Sequence, residues 1–487
     1  MENEISNQTN INKTFLSHRG YGILKSEFNY KDLNKIKDEL TVSPKTMNTF
    51  GNSNPIRYNI YTESTKKLYI PKNYGLQKFG LPDVNKLLEG VDIDLKFNGE
   101  LRENQVKPVE RFLEAAKDPV KMGGLINLFC GGGKTCMSLY IISKLKKKTL
   151  VIVHKDFLLK QWKERIEQFL PDASIGLLKA KVIDIEDKDI VMASLQSLSM
   201  KEYDKGTFDE FGFVIIDEVH HIGSEVFSRA LFKTNFKYSL GLSATMTRKD
   251  GLSKVFKWHL GDIVYRNTKK KVEDVNVECH EYYNNTPSYS QEVVLPFNNK
   301  PNMARMINNI CEFDNRTDYI VNIVKKIKTK EKNRNILLLS DRREHLKELK
   351  RKIDEIELDN SKCGYYVGGM KDSELKYTED NCDIILATFS MAAEGLDLPK
   401  LDSVILCSPK SSIEQSVGRI LRKKKEDRTY IPLIVDIIDS FSMFINQSKK
   451  RIKYYKKCDY NIQYIKTKKI INKELNEIKF EGKCFIK

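Results

Sequence analysis

Leu128-Phe129-Cys130-Gly131-Gly132-Gly133-Lys134-Thr135 is the stretch on which the reading of this chain turns. It follows an apolar run, Gly124 to Phe129, and precedes a segment whose apolar residues Met137, Leu139, Tyr140 and Ile142 have helical spacing. Strand, glycine-rich turn, helix is the order in which backbone N–H groups wrap phosphates, helped by the positive end of the helix. In that setting Gly131, Gly132 and Gly133 line the turn, Lys134 reaches the outer phosphates, and the Thr135 hydroxyl ligates Mg²⁺. The strict G-x-x-x-x-G-K-[ST] pattern wants glycine at position 128, and this chain has leucine. The competing reading is a glycine-rich turn beside a chance lysine, so the rest of the chain has to decide.

Its 487 residues allow roughly three domains, each able to bury its own core. A net charge of +17 points to a polyanionic partner, nucleic acid first, although Lys, Asn and Ile are abundant throughout and the charge need not mark one face. The nine cysteines show no C-x-x-C pair, which excludes a zinc ribbon and a disulfide framework and fits a reducing compartment. No apolar run reaches membrane-spanning length, and Met1 to Lys13 has no signal-peptide core. A soluble intracellular monomer is the expectation.

Residues 1–20 read as disordered and 21–95 as a small α+β accessory domain. Within it, a helix is expected over Phe28–Leu40 and strands at Arg57–Tyr61 and Lys67–Pro71. From 96 to 265 apolar strands alternate with amphipathic helices: Gly124–Phe129, Thr149–Val153, Ile190–Ala193, Phe213–Ile216 and Tyr238–Leu242. That pattern predicts a parallel α/β sheet with its ligand at the strands' carboxyl ends, where the glycine turn falls. Residues 266–302 are more polar and read as a linker. A second α/β run follows over 303–445, with strands at Asn335–Leu339, Gly364–Val367, Asp383–Ala387, Asp402–Cys407 and Ile431–Ile437, and no second glycine-Lys-Thr turn. Residues 446–487 read as a basic tail, with 13 Lys or Arg against 4 Asp or Glu from position 449 onward.

The strand Phe213–Ile216 ends in Asp217-Glu218-Val219-His220. A carboxylate at the tip of a buried strand beside a phosphate loop is where Mg²⁺ is held, and an adjacent one can align and deprotonate the attacking water. Two acids in a surface turn are the bland alternative, and the preceding phosphate loop makes that a coincidence. With the loop, Asp-Glu-Val-His resembles the DExH class of superfamily 2 helicases. In that class the first glycine of the strict pattern is commonly absent, so Leu128 fits.

The resemblance implies two tandem RecA-like domains sharing one ATP·Mg²⁺ and supplies roles for further residues. Leu101 to Gln105 resembles the Q motif, with Gln105 on adenine. Ser243-Ala244-Thr245 resembles motif III, whose hydroxyls, with His220, couple the acidic turn to the nucleotide state. Thr388 and Glu394-Gly395-Leu396-Asp397 resemble motif V, with Thr388 on nucleic-acid phosphate and Gly395 and Asp397 facing the nucleotide. Gln415-Ser416-Val417-Gly418-Arg419-Ile420-Leu421-Arg422 resembles motif VI, with Gln415 in the catalytic set. A guanidinium stabilises charge that builds on the γ-phosphate during hydrolysis; Arg422 is read as that finger and Arg419 as a second phosphate ligand. His154-Lys155 resembles motif Ia, together with Gln161-Trp162. Ser194 and Gln196 resemble the next strand-contacting motif, Arg342 motif IV, and Gly368-Gly369 the loop after it. Such groups hold phosphates without reading bases.

Arg248-Lys249-Asp250 is similar to the Arg-Glu-Asp element of XPB-type translocases, with lysine in place of the acid. The layout resembles the transcript-release helicases of poxviruses and other large DNA viruses. Together these imply an ATP-dependent helicase or translocase acting on DNA or RNA in transcription, with RNA polymerase or other transcription factors as partners. A viral chain of this kind belongs in the host cytoplasm or viral factory, and in the virion. The rivals are a repair or recombination motor on DNA and a non-motor binding protein with a silent ATPase.

Overall fold

The computed structural model describes residues 13–44, 57–129, 131–220, 225–248, 250–267, 274–296, 299–356, 358, 361–394, 396, 398–423 and 425–466. The chain forms two compact units, Met1–Thr268 and Lys269–Lys487.

The first unit is built on an eight-stranded sheet. Its order is Val182–Asp184, Ile175–Lys179, Ile190–Ser194, Thr149–Val153, Phe213–Ile216, Tyr238–Ser243, Gly123–Leu128 and Ile263–Asn267. Every pairing is parallel except that of the short Val182–Asp184 edge strand. Four of the inner strands, from Ile190 to Leu128, are buried along their whole length, which is why they read as unbroken apolar runs. The helices Glu103–Lys117, Lys134–Leu145 and Asp156–Phe169 send apolar residues such as Phe112, Ile141 and Ile166 into the core beside them.

The accessory region is part of this unit. A five-stranded sheet runs Thr62–Glu63, Lys67–Ile70, Gly20–Leu24, Thr14–Ser17, Val84–Asn85. The expected Phe28–Leu40 helix forms over Tyr30–Glu39, started by the Asn29 side chain, which accepts from Asp32 N at 2.8 Å. Two expectations differ from what forms. The expected strands Arg57–Tyr61 and Lys67–Pro71, read as joined by a turn over Thr62 to Lys66, do not pair with each other: Tyr58–Asn59 pairs with Thr41–Val42, and Lys67–Ile70 with Thr62–Glu63. Thr14–Ser17 lies in the stretch read as disordered, and Leu16 is fully buried there. The region is fastened by buried polar groups: Lys72 Nζ donates to the Phe236 and Lys237 carbonyls at 3.0 and 3.1 Å, and Asn73 Nδ2 to the His259 carbonyl at 2.8 Å.

The second unit has a seven-stranded, wholly parallel sheet, ordered Cys363–Tyr366, Ile384–Thr388, Ile336–Ser340, Ser403–Leu406, Leu433–Asp439, Asn276–Tyr282, Asn461–Lys466. The last two strands come from the stretches read as linker and tail. Asn276–Tyr282 alternates polar and apolar residues, so it lacks the continuous apolar signature of its neighbours although Cys279 and Tyr282 are buried. The basic stretch before the final strand is a helix, Phe444–Lys457, whose lysines face solvent. Its Arg451 is buried against Asp436 (Nε to Oδ2 2.8 Å), with Tyr455 donating to the same carboxylate at 2.9 Å. A second buried pair, Arg316 with Asp439, joins the Asp314–Lys330 helix to the sheet at 2.7 Å. Among the described residues no helix is long and apolar enough to cross a membrane.

His345 gives this unit an acid-sensitive point. Ser340 Oγ accepts from Arg342 N at 3.2 Å and lies 3.1 Å from His345 Nδ1, and His345 Nε2 is buried with no hydrogen-bond partner. Burial, then the Arg316 guanidinium, push the imidazole down from 6.5 to about 3. The unfolded chain therefore binds this proton at higher pH than the folded one. Stability is lost as pH falls below 6.5, by about 2 kcal/mol at pH 5. Urea-denaturation midpoints between pH 7.5 and 5 should fall less for His345→Gln than for the parent, and equal slopes would refute the assignment.

Candidate ATP site and strand-contacting residues

The Gly123–Leu128 strand delivers the phosphate loop. Leu128, the residue that departs from the strict pattern, is fully buried at the strand's end. A Cβ on Gly132 would come within 2.4 Å of Leu128 Cδ2, so that glycine makes room for the leucine. Gly131 and Gly133 have φ +81° and +79°, in the left-handed region that favours glycine, and the Gly131 Cβ position faces open space. Gly133 caps the Lys134–Leu145 helix, whose first turn directs its N–H groups at the loop. Gln105 lies beneath. Its Oε1 accepts from Arg102 N at 2.8 Å, and Nε2 donates to the Gly132 carbonyl at 3.5 Å. The amide assigned to adenine thus holds the phosphate loop.

The carboxylates are placed by the sheet ladder, which continues past Ile216. Asp217 N donates to Ile152 O at 3.1 Å and Val219 N to Leu242 O at 3.0 Å. Between them Glu218 adopts φ +50°, an uncommon conformation for a side-chain-bearing residue that turns the second acid toward the loop. Glu218 Oε1 meets Lys134 Nζ at 2.7 Å. Its Oε2 lies 3.2 Å from His220 Nδ1 and 3.5 Å from Ser243 Oγ, and Ser243 Oγ lies 2.6 Å from that same ring nitrogen. Thr245 joins through its backbone rather than its hydroxyl, donating N–H to Ser243 Oγ at 3.1 Å and accepting from it at 2.7 Å. Arg248 extends the network: Nη1 donates to the His220 carbonyl at 2.6 Å, while Nε bonds Asp250 at 3.0 Å. Lys249 lies outside the described residues.

Charge is unequally shared here. Burial, with the Glu218 charge second, pushes Asp217 up from 3.8 to about 6. Burial would raise Glu218 as well, but the Lys134 ammonium and then His220 outweigh it and hold this carboxyl well below its usual range. The donor set suits a nucleotide with a hard cation. The open loop with its N–H groups and Lys134 fits phosphate, and Thr135 and Asp217 offer the one or two oxygens that Mg²⁺ takes from protein when phosphates and water complete its shell. Among the described residues no cluster of three His, Cys, Asp or Glu could form an all-protein metal site.

Two neighbours of this site were not assigned roles from the sequence. Asn127, buried within the loop's own strand, donates Nδ2 to the Ser243 and Ala244 carbonyls at 3.1 and 3.0 Å. Trp162, grouped with motif Ia but given no part at the acidic turn, donates Nε1 to Asp217 Oδ2 at 3.0 Å. The lone amide in Gly123–Leu128 was the available signal for the first; the second had none beyond the indole's polar tip.

Of the strand-contacting residues in the first unit, the structure joins three. Gln196 Nε2 donates to the His154 carbonyl at 3.0 Å, and Ser194 Oγ to Gln196 Oε1 at 3.0 Å. Lys155 caps the Asp156–Phe169 helix. In the second unit Arg342 donates Nε to Asn308 Oδ1 at 2.5 Å and Nη2 to the Ala304 carbonyl at 3.2 Å. The adjacent Arg343 instead reaches the Gly368 carbonyl at 2.5 Å, beside Gly369 at φ +88°. Thr388 Oγ1 accepts from Met391 N at 3.4 Å at the start of the Phe389–Glu394 helix. Gly395 and Asp397 lie outside the described residues. Gln415 sits on the short Glu414–Gly418 helix, and Arg419 opens the 3-10 turn that follows, its Nε donating to the Ala392 carbonyl at 2.6 Å. Arg422 closes that turn.

A phosphate loop, a paired DExH turn and a second parallel unit with Gln415–Arg422 define a superfamily 2 helicase. Residues 98–248 match the family described as type III restriction enzyme, res subunit, and residues 316–424 the helicase conserved C-terminal domain. A protein of Acanthamoeba polyphaga mimivirus bearing the name of an ATP-dependent RNA helicase is 35% identical over 93% of this chain and 86% of its own length. A helicase-named protein of Invertebrate iridescent virus 6 is 28% identical over 80% and 88%, and an RNA-helicase-named protein of African swine fever virus 26% identical over 69% of each chain. The Saccharomyces cerevisiae Dbp5 structure, with RNA and ADP–BeF3, shares the fold at TM-score 0.51 and 11% identity, over 75% of this chain and 94% of that one. The chain belongs to the superfamily 2 helicases of large DNA viruses, and it is an ATP-hydrolysing nucleic-acid helicase.

Gly133→Ala tests the loop directly. A Cβ there would sit 1.9 Å from Gln105 Nε2 and force φ +79° on alanine. The left-handed conformation alone costs alanine roughly 1–2 kcal/mol, which the folded chain bears unless the loop shifts. The thermal unfolding midpoint should fall by a few degrees, and calorimetric titration at a temperature where the variant is folded should show ATP binding weakened as the loop moves off Gln105; unchanged affinity would separate the loop from nucleotide.

Proposed function

We propose that this helicase couples ATP·Mg²⁺ hydrolysis to directional movement along a single strand during viral transcription, with RNA as the strand and an RNA polymerase among its partners. The observation that carries the chemical part is the Lys134–Glu218–Ser243–His220 chain at the phosphate loop. The names borne by the mimivirus and African swine fever virus relatives support RNA. When bound, Mg·ATP supplies the phosphoanhydride and a cation that neutralises charge developing on it.

Lys134 and the loop N–H groups bind and orient the phosphates; Thr135 and Asp217 hold the cation. Lys134 pairs with Glu218 and holds that carboxyl below its usual range, which makes it a weak base. Moving the ammonium onto phosphate oxygens removes the counter-charge, and Glu218 becomes able to accept a proton from water. Ser243 and His220 then carry the change in Glu218 to Arg248 and its ion pair with Asp250. Arg422 acts on the γ-phosphate during turnover, with Arg419 and Gln415 supporting it. Because His154, Lys155, Ser194, Gln196, Gly368, Gly369 and Thr388 offer cations, hydroxyls, amides and backbone, binding is independent of base sequence. Residues 21–95 serve as an accessory module, for a partner or for guiding the strand. The second reading, a DNA repair or recombination motor, rests on the same phosphate grips, which do not distinguish a ribose from a deoxyribose.

ATPase rates with RNA, single-stranded DNA and duplex DNA, compared at one fixed salt, decide between them. RNA should stimulate most; stimulation by DNA alone would favour the repair motor. Lys134→Ala should abolish stimulated hydrolysis, and retained activity would overturn the site. Arg422→Ala should bind ATP normally yet turn over about a thousandfold more slowly, and normal turnover would remove it from the finger role.

A further inference from the structure

The helix Asp156–Phe169 buries Leu158, Leu159, Trp162 and Ile166 against the sheet. For an apolar row alone, phenylalanine would serve at position 162. The indole differs by one N–H, and that atom donates to Asp217 Oδ2 at 3.0 Å, with Trp162 1% and Asp217 7% exposed. Asp217 Oδ1 accepts from Glu218 N at 2.9 Å. The carboxylate is therefore oriented by two donors, one from its own turn and one from a separate helix.

That helix starts directly after His154 and Lys155. The His154 carbonyl is gripped by Gln196, so the two strand-contacting loops of this unit share one hydrogen bond at the helix's start. Any shift of this helix along or about its axis moves the indole, whose N–H is bonded to the Asp217 carboxylate. Donors in this outer position fix the orientation of a metal-holding carboxylate.

We propose that Trp162 is a positioning residue: its indole N–H sets Asp217 for the cation and passes strand contact at His154–Lys155 to the hydrolytic site. The inference rests on the reading of Asp217 as the Mg²⁺ holder. It separates from that reading because it concerns how the carboxylate is aimed rather than what it binds.

The test uses the full chain with Trp162→Phe, which keeps the packing and removes the donor. Two quantities are measured: the Mg²⁺ concentration giving half the thermal stabilisation by ADP, and the stimulation of ATPase by a homopolymeric RNA. The expected result is an Mg²⁺ requirement raised about tenfold, Mg²⁺-free ADP binding unchanged, and stimulation reduced several-fold more than the unstimulated rate. A variant matching the parent in both quantities overturns the proposal. Should Trp162→Phe fail to fold, emission decides. The chain has two tryptophans, so Trp258→Phe leaves Trp162 as sole reporter. Its emission should change on adding Mg²⁺ to the ADP-bound protein and again on adding the RNA; no change in either overturns the proposal. If the parent itself is not stimulated by any polynucleotide, the proposed function fails, while the Mg²⁺ requirement still tests the indole.

Discussion

Lys134 and Glu218 meet at 2.7 Å across the end of a strand that belongs to neither. The lysine follows Gly123–Leu128 and the glutamate follows Phe213–Ile216, with Tyr238–Ser243 between them. Strands two places apart in a sheet lie roughly 9–10 Å from each other, a gap that a lysine and a glutamate can span when the register sets their heights to match. Gly241 pairs with Ile216 on one side and with Leu125 on the other, and Ser243 pairs with Asn127. A slip of one residue in either pairing would turn the alternating side chains over and separate the charges. The ion pair is thus the visible consequence of a register fixed by buried apolar strands, and Ser243 stands where the two meet.

One ammonium serves two buried carboxylates. Glu218 takes the contact and stays ionised, and Asp217 bears the cost, pushed up to about 6 by burial and by its neighbour's charge. This imbalance favours a cation beside Asp217, since a metal supplies the missing positive charge where the protein provides only N–H donors. It also explains the strained backbone at Glu218. With φ near its usual negative range, the second acid would follow the strand's alternation away from Lys134. At φ +50° both acids present themselves at the same edge.

How much of this was legible in the sequence depended on the kind of signal. Fully buried parallel strands betray themselves by continuous apolar runs, so Thr149–Val153 and Phe213–Ile216 were delimited to the residue. Asn276–Tyr282 and Asn461–Lys466 lie at one side of their sheet, alternate in polarity, and were passed over as linker and tail. The loop and DExH turn were legible because phosphate and metal chemistry restricts residue types at fixed positions. The bond between Arg342 and Asn308 and that between Trp162 and Asp217 were not, because each depends on a partner 34 or 55 positions away whose proximity only the fold creates.

Two routes lead away from the acidic turn within the first unit, and they differ in kind. From Glu218 the path runs through hydrogen bonds among side chains, Ser243 to His220, and then through a carbonyl to Arg248 and Asp250. From Asp217 it runs through one indole into a helix that follows directly on His154 and Lys155, the residues proposed to contact the strand. Asn127 keeps the routes distinct by fixing the Ser243 and Ala244 carbonyls to the loop's strand, so the motif III backbone cannot follow either side chain freely. Satisfied buried polar bonds of this sort favour discrete arrangements over gradual ones, because a half-made bond leaves a desolvated group unpaired. The proposed coupling would run through exchanges of this kind, and Lys134, which the loop carries and Glu218 of the turn holds at 2.7 Å, is placed to change partner first.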